Sequence, residues 1–103
     1  MGLLFNLFGS KEKTDYRQLL QEGAIIVDVR SRSEFAGGHV NASINIPLAE
    51  LPQQVGVLKK KNQVVTACCQ SGARSAVAAS KLSAAGIIAH NGGSWRSLAQ
   101  ALR

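Results

Sequence analysis

Residues 64–74 read Val64-Val65-Thr66-Ala67-Cys68-Cys69-Gln70-Ser71-Gly72-Ala73-Arg74, and an alanine-rich run from Ser75 to Ala85 follows. The first five residues are apolar and partly β-branched, which predicts a short buried strand over 64–68. The run 75–85 is made of good helix formers and stops at Gly86, which predicts a helix ending there. Cys69 therefore opens a tight loop between a strand and a helix N-terminus. At such a place unpaired amide N–H groups and the positive end of the helix dipole favour an anion. A cysteine that ordinarily titrates near ~8.5 falls to roughly 3.5–7.5 in a setting of this kind. Cys69 is thus a candidate thiolate nucleophile. Gly72, three residues on, lets the backbone turn inward. Arg74 closes the loop and can grip a nearby carboxylate with its planar, multi-donor guanidinium. Cys68, last in the strand, points to the opposite face from its neighbours and reads as a small buried hydrophobe.

Working outward, a chain of 103 residues accommodates one domain with a core of its own, here assigned to 14–103 behind an apolar segment and linker at 1–13. The formal charge of +6 suits small anions or acidic partner surfaces. No aromatics are interleaved with the basic residues, so no nucleic-acid partner is expected. The run Lys59-Lys60-Lys61 reads as a solvated face. Two adjacent cysteines cannot build a structural disulfide framework, which points to a reducing, cytoplasmic setting. His39 and His90 stand alone and there is no Cys-x-x-Cys pair, so neither a metal nor any other cofactor is implied.

Met1–Phe8 is strongly apolar but too short to span a bilayer, and it lacks the basic start of a signal peptide. It is left open as a segment packed on the core, a weak membrane-surface foot or a docking arm. Gly9–Lys13 reads as a linker. Thr14 or Asp15 can cap a short helix over 16–21 with Tyr16, Leu19 and Leu20 on one face. The run Ala24–Val29 is fit for a central parallel strand. Asp28 interrupts it near the carboxyl end, where α/β sheets form ligand crevices. Asp28 and Arg30 can brace the Cys69 loop or form an ordinary strand-end pair.

Ser33 can cap a turn containing Glu34 and Phe35. His39 reads as a hydrogen-bonded structural residue. Val40–Pro47 reads as extended. Residues 48–57, with Leu58 at their border, place Leu48, Leu51, Val55 and Leu58 at helical spacing, although Pro52 and Gly56 limit its regularity, and the basic run 59–61 leads into the next strand. A strand over 87–90, a turn at Asn91-Gly92-Gly93 and a helix capped by Ser94 complete the chain, the helix presenting Trp95, Leu98, Ala99 and Leu102 on one side. Alternating strands and helices predict an α/β fold, a mostly parallel sheet with helices on both faces.

The run Cys69-Gln70-Ser71-Gly72-Ala73-Arg74-Ser75 resembles the active-site loop of single-domain rhodanese-like sulfurtransferases. The resemblance extends through Ile26-Val27-Asp28-Val29-Arg30, Glu34-Phe35, Gly38-His39-Val40, Ala42 and Asn45-Ile46-Pro47, and ends at Asn91-Gly92-Gly93 with Trp95. It implies a small rhodanese-like α/β domain and a persulfide cycle. Cys69 would take a sulfane sulfur from a small anionic donor such as thiosulfate, and the backbone of Gln70, Ser71, Gly72, Ala73 and Arg74 would cradle it. Cyanide, a thiol or a partner protein would then collect the sulfur. Asp28, Arg30 and Glu34 would support the loop.

Two rivals keep the same residues in view. Cys68 and Arg74 have the five-residue spacing of cysteine phosphatases and arsenate reductases, although Ala67 stands where those carry a histidine. A non-catalytic interaction module is the other.

Overall fold

The computed structural model describes residues 14–103, so the readings made for Met1–Phe8 and for the linker 9–13 lie outside the described residues. The chain begins with α1 (Tyr16–Gln21), capped by Asp15, whose carboxylate accepts the Gln18 N–H at 3.0 Å. Then come β1 (Ile25–Asp28), α2 (Arg32–Ala36), β2 (Ile44–Asn45), and a 3-10 turn (Leu48–Glu50) that runs into α3 (Leu51–Lys61). The second half is β3 (Val65–Cys69), α4 (Ala73–Ala84), β4 (Ala89–Ser94) and α5 (Trp95–Ala101).

The four strands form one sheet in the order β2-β1-β3-β4, every pairing parallel. β1 and β3 are interior, with Ile26 opposite Thr66 and Asp28 opposite Cys68. All five residues of β3 are buried, as expected of a parallel strand covered on both faces. Side chains alternate between two cores. Val27, Val29, Val65, Ala67 and Cys69 meet Leu51 and Leu58 of α3 and Ala78 and Leu82 of α4. Ile26 and Cys68 meet Leu98 of α5 on the other face, with Tyr16 and Leu20 of α1 alongside. Each of the four buried leucines contributes about 1.5–3 kcal/mol of apolar burial, three of them in the first layer and Leu98 in the second.

Several local expectations are corrected. β3 runs over 65–69 instead of 64–68, because Cys69 still pairs with Ser94 beyond a register shift at Ala67/Cys69. α4 starts at Ala73, not Ser75. Gly72 takes a left-handed φ of 102° and turns the chain directly into the helix, so Arg74 sits in its first turn and does not close the loop. The cap of α2 is Ser31, not Ser33. Ser31 has Glu34 three residues on and makes the reciprocal pair of bonds, whereas Ser33 has Ala36 there.

Of the stretch 40–47 only Ile44–Asn45 is paired strand; Ser43 N–H bonds back to the Val40 carbonyl, and Ala42 has a φ of 67°. Residues 48–50 form a 3-10 turn, and Pro52 lies in the first turn of α3, where no N–H is needed. Lys59–Lys61 form the last turn of that helix, placing cations at its negative end. The last strand begins at Ala89, not Ile87, and extends to Ser94 through Asn91-Gly92-Gly93, which is no turn. A Cβ on Gly92 would stand 2.8 Å from Thr66 Cγ2 and 3.0 Å from the Ala67 carbonyl, so glycine serves close strand contact there.

Candidate active site

The carboxyl end of β3 delivers Cys69 to a three-residue connection, Gln70–Gly72, and α4 begins at once. The Cys69 sulfur accepts the Gly72 N–H at 3.0 Å and the Ser75 N–H at 3.4 Å, with Ser75 Oγ also at 3.4 Å. Burial pushes this thiol up. The Ser75 hydroxyl and the amides of Ser75, Gly72 and Ser71 outweigh it, so the thiol lies below its ordinary value. The cradle expected over 70–74 concerns an added sulfur, which would lie beyond Cys69 Sγ itself. Among the described residues, no hydrogen bond from the amides of Gln70, Ala73 or Arg74 reaches it. Cys69 is only 1% exposed, so the sulfur lies at the base of the loop beneath exposed Gln70 and Ser71 rather than on an open loop.

Cys68 differs in every respect. It faces the other core beside Ile26 and Leu98. Burial first, and then the Asp28 carboxylate, push its thiol up to about 12. A phosphatase-type nucleophile at Cys68 is incompatible with that position.

Arg74 reaches outward from the first turn of α4 and forks onto Glu34, with Nη1–Oε1 at 2.8 Å and Nη2–Oε2 at 3.0 Å. Glu34 also accepts the Ser31 N–H at 3.0 Å. The sequence supplied both ends of this clasp, which ties the loop to α2. The Arg74 guanidinium first, and the Ser31 amide next, lower the Glu34 carboxyl from 4.5 to about 2. A carboxylate depressed on folding stabilises above its unfolded value, and that contribution is lost as pH falls through the folded one. The clasp therefore acts fully above 4.5 and fades toward about 2. Glu34→Gln is expected to lower the melting temperature near neutral pH, with the gap to wild type closing across that window. The two side chains are 34% and 40% exposed, so the gap is small. A gap constant with pH contradicts this account.

Among the described residues, no hydrogen bond from the Asp28 or Arg30 side chain reaches the loop. The Asp28 carboxylate accepts Arg30 N–H groups from the backbone, Nε and Nη2 at 2.8–3.0 Å, all buried. Arg30 then donates to the carbonyls of Gly38 at 2.7 Å and Glu34 at 3.3 Å, and its guanidinium lies 4.9 Å from the Trp95 ring centre. The pair fixes segment 34–38, and from that segment Glu34 reaches Arg74. His39 is structural, stacked on Phe35 and with Nδ1 2.7 Å from the Phe35 carbonyl.

Two residues escaped the sequence reading. Ser75 is fully buried against the sulfur. Asn91 joins Ser75 to the loop, its Oδ1 accepting from Ser75 Oγ at 2.6 Å and its Nδ2 donating to the Gly72 carbonyl at 3.2 Å. In sequence Asn91 has the character of a turn residue, and no local pattern marks a side chain that meets the loop through sheet pairing.

A family model described as a rhodanese-like domain matches residues 12–101. Thiosulfate sulfurtransferase 18 of Arabidopsis thaliana is 36% identical in an alignment of 90 residues that covers 75% of this chain and 66% of that protein. A tRNA sulfurtransferase of Thermoplasma acidophilum is 34% identical over 71 residues, 69% of this chain and 14% of its own length. The chain spans between 40% and 66% of the first three curated relatives it matches. Among solved structures, a rhodanese with anions from E. coli superposes with a TM-score of 0.69 at 30% identity, over 75% of this chain and 93% of that one. A human single-domain sulfurtransferase gives 0.65 at 25% identity, over 82% and 89%.

Proposed function

The chain belongs to the rhodanese-like domain family, and from that premise we propose that it moves sulfane sulfur through a persulfide on Cys69. The observation that carries this reading is the convergence of the Ser75 hydroxyl and the Ser75 and Gly72 amides on the Cys69 sulfur, which with the Ser71 amide outweigh its burial. In the first step the thiolate's electron pair forms a bond to the outer sulfur of thiosulfate or of another persulfide donor. The donor's sulfur–sulfur bond breaks, and its pair leaves on sulfite or on a thiolate.

The terminal sulfur of the resulting Cys69 persulfide is an anion. The open first turn of α4, with the Ala73 and Arg74 amides, is suited to receive it, since those N–H groups have no acceptor within the helix. In the second step a nucleophile attacks that terminal sulfur, and the breaking bond returns its pair to Cys69. Cyanide would leave as thiocyanate, and a small thiol or a partner protein's cysteine would leave as a persulfide. The basic character of the chain favours approach of anionic donors.

Incubation of the protein with thiosulfate, followed by intact-mass measurement, is expected to show the gain of one sulfur, removed again by cyanide. No gain with thiosulfate or with a small-molecule persulfide would overturn the proposal.

A further inference from the structure

Ser75 and Asn91 are coupled in a way that reaches the nucleophile. Ser75 Oγ lies 2.6 Å from Asn91 Oδ1 and 3.4 Å from Cys69 Sγ. The Asn91 amide is oriented from both ends. Gly93 N–H donates to Oδ1 at 3.0 Å, and Nδ2 donates to the Gly72 carbonyl at 3.2 Å. Oδ1 is therefore an acceptor, and the Ser75 hydroxyl must donate to it. A serine hydroxyl carries one proton. With that proton on Asn91, Ser75 can only accept from the Cys69 S–H. A thiolate has no proton to give and draws the hydroxyl toward itself.

We propose that Asn91 is a positioning residue that competes with the Cys69 sulfur for the single hydroxyl proton of Ser75, and so limits how strongly the thiolate is stabilised. The inference rests on Cys69 being the nucleophile. No proton is transferred, because the hydroxyl only rotates. Facing a thiolate it turns to Sγ, and Asn91 Oδ1 keeps the Gly93 N–H. Once Cys69 bears a second sulfur, the charge moves outward and the hydroxyl returns to Asn91. Nucleophilicity falls as a thiol's pKa falls, so this competition keeps the sulfur from being stabilised into inertness.

The test is the pH dependence of Cys69 alkylation by iodoacetamide in the full chain. The ionisable groups around the sulfur are Arg74 of α4, clasped by Glu34 of α2, Cys68 of β3, and Asp28 with Arg30 beyond β1. The ionisable residue of β4, His90, is in register with Thr66 and so lies on the face of the sheet away from the sulfur. The variants leave all of these in place. Asn91→Ala is expected to lower the alkylation midpoint by roughly half a unit to one unit, the equivalent of one net hydrogen bond. In a Ser75→Ala background the same change is expected to move nothing further. A loop merely loosened by losing Asn91 would forfeit amide donors and raise the midpoint in both backgrounds, which overturns the proposal.

Asn91→Asp keeps the acceptor and gives the test a second variant. Its midpoint should rise, and rise less when Ser75 is alanine; an equal rise in both backgrounds overturns the competition. Labelling that survives Cys69→Ser would overturn the nucleophile assignment itself. Midpoints that fail to follow the pattern overturn the competition alone.

Discussion

Cys69→Ser is expected to abolish the sulfur adduct completely, while Cys68→Ala retains it. A strand alternates, sending adjacent side chains to opposite faces. Cys69 faces the layer formed with α3 and α4 and lies under the start of α4, where two amides and a hydroxyl reach its sulfur. Cys68 faces α5 and is fully buried there. With its thiol pushed up to about 12 by burial and the Asp28 carboxylate, Cys68 stays protonated near neutral pH and supplies no nucleophile. Alanine is the better replacement at that site because a serine hydroxyl would be buried among apolar neighbours at a cost of about 1–3 kcal/mol. Mass spectrometry after thiosulfate treatment decides the matter. An adduct that persists in Cys69→Ser and vanishes in Cys68→Ala would reverse the assignment.

The second large effect is on stability. Asp28→Ala is expected to destabilise the fold by about 3–5 kcal/mol, because it strands a buried guanidinium. Arg30 is 3% exposed and Asp28 is fully buried, so no solvent is at hand to take over the charge. The Gly38 and Glu34 carbonyls and the Trp95 face remain as partners, but none is an anion. For a domain of this size such a loss lowers the melting temperature by about 10 °C or more. Replacing both residues, as in Asp28→Ala with Arg30→Met, should recover part of the loss, since the uncompensated charge is then gone. Calorimetry or urea unfolding reads both variants. A cost below about 1 kcal/mol for Asp28→Ala would show that the pair is not what anchors segment 34–38.

The strand–loop–helix unit around Cys69 was legible because its signals are local: an apolar run, one glycine, an alanine-rich helix. The opposed orientation of the two cysteines followed from strand geometry alone. The clasp was half legible, since Arg74 and Glu34 were both singled out, yet their forty-residue separation hid which acid the guanidinium would take. Gly92 misled for a physical reason. A glycine needed for a tight turn and a glycine needed beneath a neighbouring Thr66 look alike in sequence. Ser75 and Asn91 are brought together only by the crossover that lays β4 beside β3, so no window of sequence contains the pair.

The opposed cysteines carry a last consequence. The chain holds no others, and the sheet itself stands between these two sulfurs. Should peroxide convert Cys69 to a sulfenic acid, the molecule has no second thiol within reach to trap it as an internal disulfide. Rescue must come from an outside reductant, which ties the working lifetime of the protein to the thiols that surround it.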